Sequence, residues 1–346
     1  LVDTSRAMLA AALAFGLYLA AGVILLRAAL RRFRRKSPSP EVPGLAARGA
    51  SAGTAARLAR AVRAAVLALA GAGLLCAIYA RLVEPDWPAV RQVAVPTAGL
   101  SAARPVRLVL ISDTHSDPEA RLEPRLPEIV AGLRPDLIVF AGDALNSPGG
   151  LPHFRELMTS LAAIAPTYAV RGNWDVWFFA GLDLYGGTGV GVLDGQAVPV
   201  RAGGSEVWLA GFGVPGRGRF DREGYLRLAR RALAGVPAGR PAVFVHHYPE
   251  VAALGVEAGA GLGLAGDTHG GQIRLPLLGE LVRLDRLGRH WDAGPHRLDR
   301  GWLYVNRGLG MEGGAAPRIR FLCRPEVTLI ELVPEGGPSQ GAPSLG

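Results

Sequence analysis

Five short apolar runs in this chain each stop at a carboxylate, an amide or an imidazole, and that recurrence limits its fold more than any other feature. VRLVLISD ends at Asp113, DLIVFAGD at Asp143, TYAVRGN at Asn173, AVFVHH at His247 and LGLAGD at Asp267. Runs this short and this apolar suit strands buried on both faces. Helical periodicity over 122–133, 153–164 and 222–233 separates several of them. Alternating strand and helix argues for α/β layering. In such folds the working groups gather beyond the C-terminal strand ends.

The polar stops are Asp113-Thr114-His115, Gly142-Asp143, Gly172-Asn173-Trp174-Asp175, His247-Tyr248-Pro249 and Gly266-Asp267-Thr268-His269. Carboxylate, imidazole and amide oxygen form a mixed hard and borderline donor set, which suits Mn, Fe, Zn or Mg. Asp113 and His115 stand two apart, so on an extended exit they share a face. A carboxylate such as Asp143 can bridge two ions roughly 3.5–4 Å apart, the spacing of two-metal phosphoryl-transfer sites. A single Asp-x-His is commonplace in loops. Five stops in series, each closing an apolar run, are not.

Composition matters at the N-terminal end. The chain is 49% hydrophobic and 19% charged, with mean hydropathy +0.23. Residues 7–26 carry no charge and are long enough to cross a bilayer. Residues 64–80 form a second uncharged run; Arg63 and Arg81 can snorkel at its ends, and Leu82 and Val83 extend it to 83. The formal charge of +9 looks at first like a nucleic-acid signal. However, residues 27–63 hold ten basic side chains against Glu41, while the rest of the chain balances at 28 to 28. A nucleic-acid binder concentrates basic residues on its folded domain, so no nucleic-acid partner is expected.

Basic loops stay cytoplasmic. A hairpin of two spans would therefore place everything after Arg81 outside the cytoplasm, whereas a single span at 7–26 would leave it inside. The expected organisation is two transmembrane helices with a basic linker over 1–83 and a Pro-punctuated tether over 84–103. A domain over 104–333 and a disordered tail over 334–346 complete it. Two cysteines, Cys76 and Cys323, exclude a disulfide scaffold.

The order D-x-H, G-D, G-N-x-D, H-x-P, G-x-T-H-G-G-Q resembles the calcineurin-like metallophosphoesterase superfamily. GGQIRLP (270–276), YVNRGLG (304–310) and PRIRFLCRPEVTLIEL (317–332) are similar to its membrane-anchored bacterial phosphodiesterase branch, which includes UDP-2,3-diacylglucosamine pyrophosphatases. The resemblance implies a four-layer α/β/β/α sandwich holding two divalent metals, with in-line attack on phosphorus by a hydroxide bridging them. It implies Asp113, His115 and His269 at one ion, Asn173, His247 and residue 267 at the other, and Asp143 between them.

Two positions depart from the pattern. Asp267 stands where the family has His, a harder ligand that favours Mn or Mg over Fe or Zn. Trp174 stands where the family has a proton-donating His, and an indole cannot transfer a proton. Both departures favour a good leaving group, hence a phosphodiester or phosphoanhydride. Anchoring extends that to an amphiphilic substrate such as a lipid-linked or UDP-sugar-lipid diphosphate. Arg171, Asn306 and Arg307 are candidate phosphate contacts. His246 is a candidate substitute acid, although in a strand it faces away from His247. The competing reading is a non-catalytic scaffold on the same fold.

Overall fold

The computed structural model describes residues 49–101, 104–218, 220–275, 279–280, 291–312 and 318–335. The expected span at 7–26, the linker up to residue 48 and the tail beyond residue 335 lie outside these. The chain divides into two compact units, residues 1–81 with 314–317, and residues 82–313 with 318–346.

In the first unit, α1 (Gly49–Leu82) is a single 34-residue helix, about 51 Å long at 1.5 Å per residue. It contains the expected apolar stretch and begins earlier than the sequence suggested. Arg57, Arg60 and Arg63 belong to its opening turns rather than to a separate linker. Ala56–Asp86 is the one segment among the described residues long and apolar enough to cross a membrane. Its Leu67, Leu69, Leu74 and Leu75 side chains are exposed, as a lipid-facing helix requires.

The second unit is built on two six-stranded sheets. The first has the order β1 (Ala89–Thr97), β14 (Glu326–Pro334), β2 (Val106–Ile111), β3 (Leu137–Phe140), β4 (Thr167–Ala169), β5 (Gly191–Val192). From β2 to β5 all pairings are parallel, and β14 runs antiparallel to β2. The second sheet has the order β12 (Gly294–Leu298), β13 (Gly301–Val305), β9 (Leu262–Ala265), β8 (Ala242–Val245), β7 (Ser205–Gly211), β6 (Gln196–Ala202). Its central strands β13, β9, β8 and β7 are parallel. A short ladder of β10 (Arg274–Leu275) and β11 (Gly279–Glu280) stands apart from both sheets.

The sheets bury their facing sides against each other. Leu108, Leu110, Val139 and Ile330 of the first sheet pack in one core with Leu209, Val243, Val245 and Leu264 of the second. On the outside of the first sheet lie α2 (Leu126–Gly132) and α3 (Leu151–Ile164), where Phe154 meets Phe140 at 5.3 Å. After β4, Asn173–Trp177 forms the five-residue helix α4. On the outside of the second sheet, α5 (Arg222–Leu233) and α6 (Pro249–Glu257) pack over Ala210 and Phe244. The result is the expected four-layer α/β/β/α sandwich.

Two expectations shift. α2 starts at Leu126 instead of residue 122, because Pro124 and Pro127 allow helix only from its first turn onward. The segment read as a tether holds a nine-residue strand. Ala89–Thr97 pairs with all nine residues of Glu326–Pro334, so the domain's edge starts well before residue 104. Prolines misled that reading, since Pro96 sits near the end of an edge strand where no ladder donor is needed.

Candidate metal centre

The C-terminal ends of β2, β3, β4, β8 and β9 open onto one rim of the sandwich, and the polar stops meet there. Asp113, His115, Asp143, Asn173, His247, Asp267 and His269 are all buried. Asp113, His115, Asp143, Asp267 and His269 adopt positive φ of 50°, 42°, 60°, 71° and 51°. Left-handed backbone costs an ordinary residue about 1–2 kcal/mol, so the fold holds five strained turns at this rim. Neighbouring glycines make room for them. A Cβ on Gly172 would collide with Asp143 Oδ1, and one on Gly266 with Asp113 Oδ2.

Two of the three histidines, His115 and His247, are fixed with Nδ1 as donor. His115 Nδ1 lies 3.1 Å from Asn146 Oδ1, whose own amide donates to Met311 O at 3.1 Å. His247 Nδ1 donates to Ala141 O at 2.8 Å. The fully buried Arg320 donates to Gly310 O at 2.6 Å and lies 3.5 Å from His269 Nδ1. All three Nε2 atoms face the rim, the arrangement of imidazole ligands with oriented outer partners.

The facing atoms converge in two groups. His115 Nε2 and His269 Nε2 stand 3.2 Å apart, and Asp113 Oδ1 is 3.5 Å from His269 Nε2. His247 Nε2 lies 3.2 Å from Asp143 Oδ2, 3.5 Å from Asp267 Oδ1 and 4.0 Å from Asp113 Oδ1. None of these contacts gives His247 Nε2 a well-aligned hydrogen bond, and Asn173 Oδ1 is buried without a partner. Asp143 Oδ1 is tied to the Trp174 N–H at 2.9 Å, which aims Oδ2 between His115 (3.6 Å) and His247.

Burial lowers His115 to about 4, with Asp143 opposing and His247 reinforcing. Burial, helped by Asp143 and Asp267 against His247, raises Asp113 to about 7. Burial also disfavours a charged His247, yet Asp143, Asp267 and Asp113 outweigh it and hold the ring well above its usual range. Clustered carboxylates facing imidazole nitrogens and an orphaned amide oxygen are the chemistry of a cation site. The residues present fit two divalent ions.

The remaining candidates fall elsewhere. Asn306 is fully buried, accepting from Ser112 Oγ and Gly308 N and donating to Thr328 Oγ1. It is a strut between the sheets and has no atom left for a substrate. His246 is also fully buried, enclosed by Phe212, Tyr225 and Tyr248, with Nδ1 accepting the Tyr248 N–H at 2.9 Å. That core placement removes it as a proton donor. Arg307 pairs with Glu326 at 3.4 Å. Arg171 is half-buried, two residues before Asn173. Trp174 meets His115 edge-on at 5.0 Å and leads to Phe178, itself 48% exposed, at 5.0 Å.

Sequence reasoning passed over the supports. Asp175 accepts the N–H groups of Asp143, Ala144 and Gly172, pinning two of the turns together. Its place in G-N-x-D was the available signal. Nothing in the sequence singled out Asn146 or Arg320.

The class follows from this geometry: residues 106–269 match the family model of the calcineurin-like phosphoesterases, so the chain carries a domain of that family. It is a metal-dependent phosphoesterase. The chain is 28% identical over 267 residues to the uncharacterized metallophosphoesterase YkuE of Bacillus subtilis, covering 73% of this chain and 88% of that protein. It is equally 28% identical over 264 residues to the phosphodiesterase YaeI of Escherichia coli, covering 74% and 92%. Among solved structures, TT1561 of Thermus thermophilus aligns over 60% of this chain and 91% of that one. The two share 15% identity with a TM-score of 0.39.

Proposed function

We propose that this chain is a membrane-anchored hydrolase of phosphodiesters or phosphoanhydrides, working on an amphiphilic phosphate. One ion would be held by Asp113, His115 and His269, the other by Asn173, His247 and Asp267, with Asp143 reaching both. The observation that carries the reading is the pairing of orphaned ligand atoms, Asn173 Oδ1 and His247 Nε2, with the oriented Asp143 Oδ2. Two divalent ions bound there, Mn or Mg for preference, would acidify water and neutralise charge growing on the phosphoryl oxygens.

The protein's own groups do the rest. Asn146 and Ala141 keep His115 and His247 in the ligating tautomer. Three aspartates offset more of the metals' charge than two would, which suits a diester or anhydride over a phosphomonoester dianion. The ledge of Trp174 and Phe178 offers an apolar wall beside the centre, and Arg217 stacks over Trp177 and Phe178 at 5.7 and 5.3 Å. An apolar wall bearing a cation suits an acyl or prenyl phosphate.

Anchoring rests on α1, with a second span at 7–26 and the basic stretch between them on the cytoplasmic side. That arrangement places the phosphoesterase domain outside the cytoplasm.

The test uses the full chain in detergent. Bound metal is measured, and an aryl phosphodiester is assayed with Mn, Mg and Zn, with Asp143→Asn as control. Metal-dependent turnover that the substitution abolishes supports the reading. Metal-free, inactive protein supports the scaffold instead.

A further inference from the structure

We propose that the second unit rests on the bilayer through Val83, Trp87 and Leu322, which holds the mouth of the metal centre at the level of the lipid headgroups. This rests on the membrane anchoring read from α1 and names the surface that anchoring brings into use.

The three side chains belong to one patch because each is tied to Glu84, and all lie in the second unit. Val83 precedes Glu84 in the chain. The Trp87 N–H donates to Glu84 O at 3.1 Å, closing a single 3₁₀ turn over Glu84–Asp86. The Leu322 N–H, from the far end of the sequence, donates to the Glu84 carboxylate at 2.8 Å. Glu84 itself is fully buried, whereas Val83, Trp87 and Leu322 are 46%, 51% and 47% exposed. One exposed apolar side chain is ordinary. Three gathered about one residue mark an interaction surface.

The order of the chain says what covers it. Leu82 ends α1, and Trp87 follows five residues later. Five residues reach about 18 Å at full extension, so the patch stays close to the end of the apolar helix whatever angle α1 takes. Tryptophan is enriched at the membrane–water boundary. Arg324 lies over the Trp87 ring at 3.9 Å and donates to Trp87 O and Pro88 O at 2.8 Å each, while Arg125 donates to Asp86 O at 3.0 Å. An apolar patch edged by guanidinium groups matches the level where acyl chains meet phosphates.

The same turn leads to the centre. The Glu84 carboxylate also accepts the Cys323 N–H, and Cys323 Sγ donates at 3.2 Å to the backbone oxygen of His269, a candidate ligand. Pro85, the next residue, lines a cleft with His115, Asp117, Glu119 and Met311. A phosphate carried on a lipid thus stands at this cleft while its chains stay in the leaflet.

The experiment places the full chain in phosphatidylcholine vesicles containing nitroxide-labelled lipid and reads quenching of a fluorophore attached to single cysteines. Cys323 is fully buried and stays unlabelled. Native Cys76, on α1, reports the span. In a Cys76→Ala background, labels go on Leu322→Cys in the patch, on Glu119→Cys at the cleft, and on Arg240→Cys, exposed just before β8 at the strand ends opposite the rim. The labels at 322 and 119 are expected to lose most of their fluorescence to lipid bearing the nitroxide near its headgroup. The label at 240 should lose it only to aqueous iodide. Adding Trp87→Ser should return the label at 322 to iodide. If the labels at 322 or 119 respond like that at 240 while Cys76 is quenched by lipid, the docking is overturned and the anchoring stands. Shielding of position 322 from both quenchers means that a protein surface covers the patch, which overturns the docking equally. So does lipid quenching at 322 that Trp87→Ser leaves unchanged. No lipid quenching at Cys76 removes the anchoring reading and the docking with it.

Discussion

Asp267 is the residue at which this site departs furthest from the set its resemblance implies, and its geometry says what the departure does. Its Oδ1 lies 3.5 Å from His247 Nε2, and its N–H donates to Asp113 Oδ1 at 3.1 Å. The backbone contact survives substitution, so Asp267→His should fold, gain one unit of positive charge at the site and shift preference toward Zn. Activity on a phosphomonoester should rise relative to a diester, read by assaying both with each metal. Metal uptake should also release protons. Without metal His247 is held charged, and Asp113 is half protonated near neutrality. Binding needs the imidazole neutral and the carboxylate ionised, so affinity rises with pH. Calorimetry in buffers of different ionisation enthalpy should show proton release at pH 6 that shrinks by about pH 8. The candidate ligands were legible because each closes an apolar strand. Arg320 was not, because its place beside His269 depends on chain returning from the far end of the sequence, with no periodicity to mark it.

At the scale of elements, Glu84 joins the start of the second unit to the segment that leads into its C-terminal strand. It lies fully buried, and its carboxylate accepts the N–H groups of Leu322, at 2.8 Å, and Cys323. Cys323 Sγ in turn donates to His269 O at 3.2 Å. Glu84→Ala strands two N–H groups, and each unsatisfied buried donor costs about 1–3 kcal/mol. Chemical denaturation should therefore show a lower midpoint with an unchanged slope. Edge strand β1 makes a related point. A protein starting at residue 98 lacks β1 and exposes the edge of β14, so it should aggregate, whereas one starting at Leu82 should remain soluble. Light scattering of the two separates these outcomes. The central strands could be read from composition, since they are buried on both faces. β1 could not, because its burial alternates and its prolines imitate a linker. An edge strand is defined by its partner, here 237 residues further along.

For the whole molecule, α1 and the phosphoesterase unit together predict an integral membrane enzyme. The protein should stay with membranes through high salt and alkaline carbonate and leave only with detergent. A reporter fused after Val333 should read as extracytoplasmic, and a protected, cytoplasmic reading would leave a single span as the arrangement. The rim itself has a history written in its backbone. Two sheets contribute turns with positive φ at five of the seven candidate ligands. Aspartate, asparagine and histidine, the side chains most tolerant of that conformation besides glycine, are also the ones that bind metals. Exchange of histidine for aspartate at position 267 was thus open to evolution without rebuilding the turn. By the same reasoning, descendants that abandon catalysis should drift to asparagine or glycine at these sites first. They would keep the shape of the rim long after losing its chemistry.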